Sequence, residues 1–414
     1  MKRYTELAPS QRTIMTPGPV EVDPRVLRAL SYPILGQFDP EFTALMNDTM
    51  EMLRALFQTN NQWAYPIDGT SRSGIEAVLT SLIEPGEKVL VPIYGRFGHL
   101  LYEIAERCRA EVSSIEAEWG TVFDPEVVIA AIRREKPALV LMVHGETSTG
   151  RIQPLSEIGK VCRELGVLFV VDAVATLGGV PVETDAWCLD AVIGGTQKCL
   201  SVPSGMAPIT YNDIAARKIA KRKKVERGLQ NLQAIETDAD AKPFHPIQSN
   251  YFDLSQLQDY WSATRLNHHT EMTSMLYGLR EGLRIALNEG LEQRFARHKL
   301  HETALVAGLE GMGLSLYGDP ACKVTVVTCV NIPQGIDGES VRDMLLNRFG
   351  IEIASSFGIL KGKIWRIGTM GYSCSQKNVL HLLGAFEAVL LRHGAALSLG
   401  SGIQAALDFY DTIE

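Results

Sequence analysis

The sequence predicts an α/β protein: a large domain on a mostly parallel seven-stranded sheet, followed by a smaller C-terminal α+β domain. Three observations carry that expectation. Between residues 60 and 215, short runs rich in Val, Ile and Leu alternate with longer stretches of helical period, the pattern of parallel strands covered on both faces by helices. From about residue 280 this alternation gives way to long helical segments and β-branched runs. The 414 residues, 46% hydrophobic and 21% charged, suit a chain with a large core and exclude disordered, collagenous and disulfide-scaffold classes.

Taken in order, residues 1–20 form an N-terminal segment expected to associate with the small domain, 21–280 the large domain and 281–414 the small one. The candidate strands are Trp63 to Ile67, Lys88 to Ile93, Glu111 to Ile115, Ala138 to His144, Val167 to Asp172, Asp190 to Gly195 and Met206 to Thr210. Helices are expected near 73–83, 97–109, 125–135 and 155–165. In the last of these Leu155, Ile158, Val161, Cys162 and Leu165 share one face, and Gly166 follows as a stop before the next strand. Beyond 275, helical segments to 311 lead into Lys323 to Ile332, a helix from Glu339, short strands at Ile351 and Lys363 to Thr369, and a final helix from Gln376. This reads as a partly antiparallel α+β unit.

Forty Lys and Arg against 48 Asp and Glu leave a formal net charge of −8, which argues against a nucleic-acid partner. Seven scattered cysteines without a C-x-x-C pair argue against a disulfide framework and a structural zinc site, and fit a reducing cytoplasm. No secretory leader is expected at the N-terminus, and no span approaches twenty uncharged apolar residues, so neither membrane insertion nor a membrane partner is expected. The basic run Arg217 to Arg227 reads as a solvated helix face, with a phosphate patch as the alternative. His268-His269 and the pair His298 and His301 show no ligand pattern for a metal.

Chemistry concentrates in three places. Lys198, in Gly194-Gly195-Thr196-Gln197-Lys198, lies just past an apolar strand and before a Pro/Gly loop, at the end of the sheet where open α/β folds bind ligands. Asp172 ends the hydrophobic strand Val170-Val171-Asp172; buried, it needs a cationic partner or solvent, unless it caps a following helix. A Lys and an Asp at neighbouring strand ends are what pyridoxal 5'-phosphate requires, the Lys for a Schiff base and the Asp for the pyridinium nitrogen. The loop Asp68-Gly69-Thr70-Ser71-Arg72-Ser73-Gly74 opens a helix after the first strand, and its backbone N–H groups suit a phosphate.

With these motifs in order, the chain resembles the class V, fold-type-I aminotransferases of the alanine-glyoxylate and serine-glyoxylate group. The resemblance runs from Met15-Thr16-Pro17-Gly18-Pro19 through His144-Gly145-Glu146-Thr147-Ser148-Thr149-Gly150, Val171 to Gly179, Gly195-Thr196-Gln197-Lys198 and His268-His269-Thr270 to Arg366-Ile367-Gly368. It implies Lys198 as the Schiff-base lysine and catalytic base, and Asp172 as the pyridinium partner. Phe97 is implied as the ring-stacking aromatic, where relatives often carry Trp, and Thr147 as the neighbour of the cofactor's 3-oxygen. Thr70, Ser71, Arg72 and Gln197 are implied around the phosphate, Ser71-Arg72 replacing a Gly-His pair, with Thr270 donated by the other subunit of a homodimer. Arg366 is implied as the arginine that holds the substrate α-carboxylate.

Two positions bear on the substrate. Where alanine-glyoxylate enzymes read Tyr-His-His-Thr this chain reads Asn267-His268-His269-Thr270, and Gln37 supplies a second amide. A paired Asn and Gln is similar to the bacterial (S)-ureidoglycine–glyoxylate aminotransferases of purine catabolism, and two amides can meet both the N–H donors and the carbonyl of a ureido group. The alternatives are alanine or serine as donor, with Gln37 and Asn267 as ordinary loop residues, a cysteine desulfurase, or a non-catalytic binding module.

Overall fold

The computed structural model describes residues 3–226, 228 and 245–413. The large domain holds a seven-stranded sheet of β1 (Trp63–Gly69), β2 (Lys88–Ile93), β3 (Glu111–Glu116), β4 (Leu139–Val143), β5 (Leu168–Asp172), β6 (Ala191–Ile193) and β7 (Gly205–Tyr211). Its spatial order is β1-β7-β6-β5-β4-β2-β3, parallel throughout except that β7 runs against both neighbours. The exception follows from the connection: residues 194–204 contain no helix, and only a crossover element would bring the chain back for a parallel strand. Every residue of β4, β5 and β6 is buried, as continuous apolar runs in a doubly covered sheet should be.

The flanking helices begin and end where local chemistry directs. Asp124 accepts from the Glu126 N–H ahead of the helix Pro125–Glu135, with proline in its first turn. Gly166 ends the helix Ser156–Leu165 at φ +68, a left-handed conformation that glycine adopts without steric cost. The first of the helices, α1 (Ser71–Leu82), starts two residues before its expected position.

The smaller unit contains β8 (Val327–Asn331), β9 (Ala354–Ser355) and β10 (Ile364–Gly368) as an antiparallel sheet in the order β8-β10-β9. It packs on the helices Leu291–Gly311, Gln376–Arg392 and Ser401–Asp411 around a core that includes the buried Trp365 and Phe386. Met15 lies in this same core, and Thr13–Ile14 pairs in parallel with Ile351–Glu352, so the chain near residue 14 is built into the structure near residue 351. A third apolar cluster, with Val20, Ala175, Val326 and Met370, joins this unit to the large sheet.

The basic run is the expected solvated face at Arg217, Lys221 and Lys224, which are exposed, but not at its other described cations. Arg222 is buried and donates to the carbonyls of Thr80, Ser81 and His245, while Lys218 and Lys223 pair with Glu87 and Asp259. A guanidinium is spent there on carbonyls that would otherwise lack donors; Arg227 lies outside the described residues. Among the described residues no helix is long and apolar enough to cross a membrane.

Candidate active site

A cavity of about 320 Å³ opens at the C-terminal edge of the sheet. Its walls include Thr70, Ser71, Arg72, Phe97, Thr147, Asp172, Gln197 and Lys198, so eight of the expected site residues converge on one space. Such convergence follows from topology: β1, β2, β4, β5 and β6 all end on this edge, β5 delivers its last paired residue, Asp172, and the others deliver residues that follow their strands.

Lys198 is buried, and its Nζ donates to the carbonyl of Pro17. Gly18 lies directly over the side chain: at φ +96, a Cβ there would stand 2.3 Å from Lys198 Cδ, so only glycine lets the backbone approach this closely. Burial, aided by the charge of Arg366, lowers the Lys198 amine from its ordinary range to about 8. The Thr196 hydroxyl donates to Pro203 O at 2.8 Å, which fixes the turn carrying the lysine.

Asp172 sits at the end of β5 with one carboxylate oxygen accepting from the Val174 N–H at 2.9 Å. No α-helix follows it, so the alternative of a helix cap does not apply; the contact closes a turn. Among the described residues it has no ion pair, and burial, reinforced by the nearby charge of Glu146, raises its carboxyl to about 6. A buried carboxylate at a cavity wall without a cation is what a bound pyridinium would complete.

At the other end of the cavity, Thr70 precedes α1 without a side-chain cap, leaving first-turn N–H groups for an anion. Ser71 Oγ and the Gln197 amide lie 3.1 Å apart and join the two loops that line this end; Arg72 is exposed at its rim. Phe97, partly buried, begins a helix and donates its N–H to Glu146 Oε2 at 2.8 Å.

Glu146 is the residue that sequence reasoning passed over. Wholly buried, it also accepts from the N–H and hydroxyl of Ser148 at 2.9 and 2.6 Å, and thereby ties the start of the Phe97 helix to the turn bearing Thr147. Its signal was present only as a carboxylate inside an otherwise small-residue stretch.

Arg366 lies on β10, buried, with Nε donating to Ser355 O at 2.8 Å and Nη1 to Thr147 O at 3.0 Å. It is not part of the cavity wall, but its charge reaches Lys198. The Phe357 ring lies 4.5 Å from its guanidinium carbon and 4.0 Å from that of Arg96. Among the described residues Arg366 has no carboxylate partner, which leaves its unused N–H edge for one.

The two amides do meet. Gln37 Nε2 donates to Asn267 Oδ1 at 3.1 Å, while Gln37 Oε1 is buried without a partner. Neither lines the cavity of the same chain, and Thr270 lies outside it and exposed.

Neither Cys199 nor Cys374 is placed as a nucleophile. Cys199, beside the lysine, and Cys374 are buried and both pushed up to about 12, the wrong direction for a reactive thiolate. His298, expected on a charged helix face, is wholly buried and accepts from the Gly371 N–H at 2.9 Å.

Residues 34–360 match the family model described as aminotransferase class-V. The chain is 68% identical to the (S)-ureidoglycine–glyoxylate transaminase of Bacillus subtilis (strain 168), over 99% of this chain and 98% of that one. The crystal structure of the ureidoglycine-glyoxylate aminotransferase from Bacillus subtilis superposes with a TM-score of 0.92 at 65% identity, covering 98% of this chain and all (100%) of the other. An alanine–glyoxylate aminotransferase from Nostoc sp. superposes with a TM-score of 0.87 at 36% identity, covering 94% and 98%. With a lysine, a lone buried aspartate and an uncapped helix start around one cavity, the chain belongs to the class-V aminotransferases and is a pyridoxal 5'-phosphate-dependent enzyme.

Proposed function

We propose that the chain moves the amino group of (S)-ureidoglycine to glyoxylate, releasing oxalurate and glycine, as a step in purine (allantoin) breakdown. The observation that carries this reading is the 68% identity, along nearly the whole chain, to a transaminase of that name. The amide pair supports it chemically, because a ureido group can satisfy the Gln37 oxygen that lacks a donor.

The residues present fit the cofactor. Lys198 and Asp172 would hold its aldehyde and its ring nitrogen, Phe97 would cover its ring, and Thr70, Ser71 and Gln197 would hold its phosphate at the start of α1, with Arg72 at the rim. Thr147 would stand by the ring's 3-oxygen. When bound, the cofactor supplies an electron sink for the bond pair released at the substrate Cα.

The chain's own groups do the rest. The Lys198 amine, lowered to about 8, is the base that takes the proton from the substrate Cα and returns it on the far side of the transfer. Arg366, anchored by Ser355 and Thr147, orients the α-carboxylate of both the donor and glyoxylate. Removing it with Arg366→Ala is expected to raise KM for both substrates together by about 10- to 100-fold, the range for a lost charge-assisted bidentate contact; steady-state kinetics with each substrate varied in turn checks this.

Gln37, Asn267 and Thr270 stand off their own cavity, and the enzyme is read as a homodimer in which they serve the partner's site. A reducing cytoplasm suits its cysteines, all seven of which are free. Asn267→Tyr tests the substrate: use of (S)-ureidoglycine should fall about 10-fold or more and use of alanine should rise, since the ureido group would lose one of its two amide partners. If neither rate moves, alanine or serine is the donor and the amides are bystanders.

A further inference from the structure

His269 sits between two buried carboxylates beside the phosphate loop. Its Nε2 is 3.1 Å from Asp68 Oδ2 and 3.8 Å from Glu271 Oε2, and Asp68 precedes Thr70 by two residues. Its Nδ1 is 2.8 Å from His268 Nδ1, and His268 Nε2 is 3.1 Å from the carbonyl of Asn250. Tyr251 and Tyr260 flank the ring at 5.5 and 5.1 Å between centroids. Asp68 Oδ1, Glu271 Oε1 and the Tyr260 hydroxyl are buried without hydrogen-bond partners.

Donor counting links the protons of the cluster to one another. A carbonyl only accepts, so His268 Nε2 carries its hydrogen. Burial lowers the His268 pKa and keeps that ring neutral, which leaves its Nδ1 an acceptor. His269 Nδ1 must then donate to it. If the proton of the Asp68–Glu271 pair sits on Glu271, Asp68 also only accepts, so His269 Nε2 donates as well, and a ring that donates from both nitrogens is an imidazolium. The two tyrosine rings beside it suit a cation. Burial and the neighbouring Asp68 charge push the Glu271 carboxyl well up, and a protonated Glu271 would give Asp68 Oδ1 the donor it lacks. The cluster then carries no net charge next to a site built for a phosphate dianion.

We propose that Asp68, imidazolium His269 and protonated Glu271 form a closed, neutral triad that pins the Asn267–Thr270 segment to the end of β1, making the three of them positioning residues for the substrate-facing Asn267 amide. The second half of this statement rests on the ureidoglycine reading; the protonation of the triad does not. Fixing the segment matters because Asn267 and Thr270 lie outside their own cavity and are exposed, and the segment is held by this anchor together with the Gln37 and Asn250 contacts.

The test has two parts. Nitrogen NMR of the holoenzyme carrying isotope-labelled histidine, with the His269 signal assigned by its loss in His269→Gln, should show both His269 ring nitrogens protonated near neutral pH. A neutral His269 ring overturns the triad. In kinetics, Glu271→Ala and Asp68→Asn should each raise KM for (S)-ureidoglycine about tenfold with kcat within about threefold, as expected for one lost hydrogen bond to a charged group. Glu271→Gln, whose amide N–H replaces the carboxyl donor, should stay within about twofold of the wild type. Equal damage from Gln and Ala overturns the proposal. So does a stoichiometric metal found by elemental analysis, because the three side chains place ligand atoms within 4.8 Å of one another and a cation would replace both protons. If the wild type does not use ureidoglycine at all, the substrate reading fails while the NMR result still decides the triad.

Discussion

Lys198→Ala should abolish turnover, lowering kcat by about three to four orders of magnitude, because one side chain serves as both nucleophile and general base. The structure separates this loss from misfolding. Lys198 is a buried amine whose polar contact is a single backbone carbonyl, so truncation removes a costly buried group rather than a packing residue. The cofactor should remain bound through the α1 start and Asp172 but be released by a phosphate-competing anion, where the wild type retains it covalently. A small primary amine added in solution should restore part of the single-turnover rate in Lys198→Ala. No rescue, together with an unchanged cofactor spectrum in the variant, would remove Lys198 from the chemistry.

Asp172→Asn should cost about two to three orders of magnitude in kcat, the scale of removing one preorganised electrostatic contact to the reacting system. Its effect on stability should have the opposite sign. Burial raises the Asp172 carboxyl from 3.8 to about 6, so in protein stripped of cofactor the group favours the fold below pH about 4. That contribution is lost as pH rises through 6, about 3 kcal/mol in all. Asn carries no charge to bury, so stripped Asp172→Asn should unfold at a higher temperature than stripped wild type at pH 7, and the gap should close toward pH 4. A variant that is both inactive and less stable at pH 7 would show that Asp172 has a structural partner instead.

The residues that carry chemistry were legible in proportion to how local their signal is. Lys198 and Asp172 interrupt or terminate apolar runs, where a charged side chain is costly unless used, so their position at the strand ends reads directly from the pattern. The antiparallel course of β7 was not legible, because its residues look like those of any buried strand and only the missing crossover helix betrays it. Arg222 reads as one more charge in a basic run, yet its partners lie at Thr80, Ser81 and His245, far off in the chain. The same holds for Gln37 and Asn267: their types suggested an amide pair, but 230 residues separate them, and whose cavity they face is a matter of tertiary placement. The triad was hidden for a similar reason, since Asp68 reads as part of a phosphate loop and His269 as half of an inert histidine pair.

The backbone over Lys198 also has a consequence for synthesis. Pro17, which receives the amine, lies 181 residues before it, and the short strand leading into Pro17 is held by a partner at Ile351–Glu352. In a nascent chain that has laid down β1 to β7, the segment after Pro17 has partners at Gln197 and Ser201, whereas the strand Thr13–Ile14 still lacks its own. That strand can pair only once residues 351–352 have been made. Cofactor captured before then would be held under a cover fastened at Gln197 but not at residue 351.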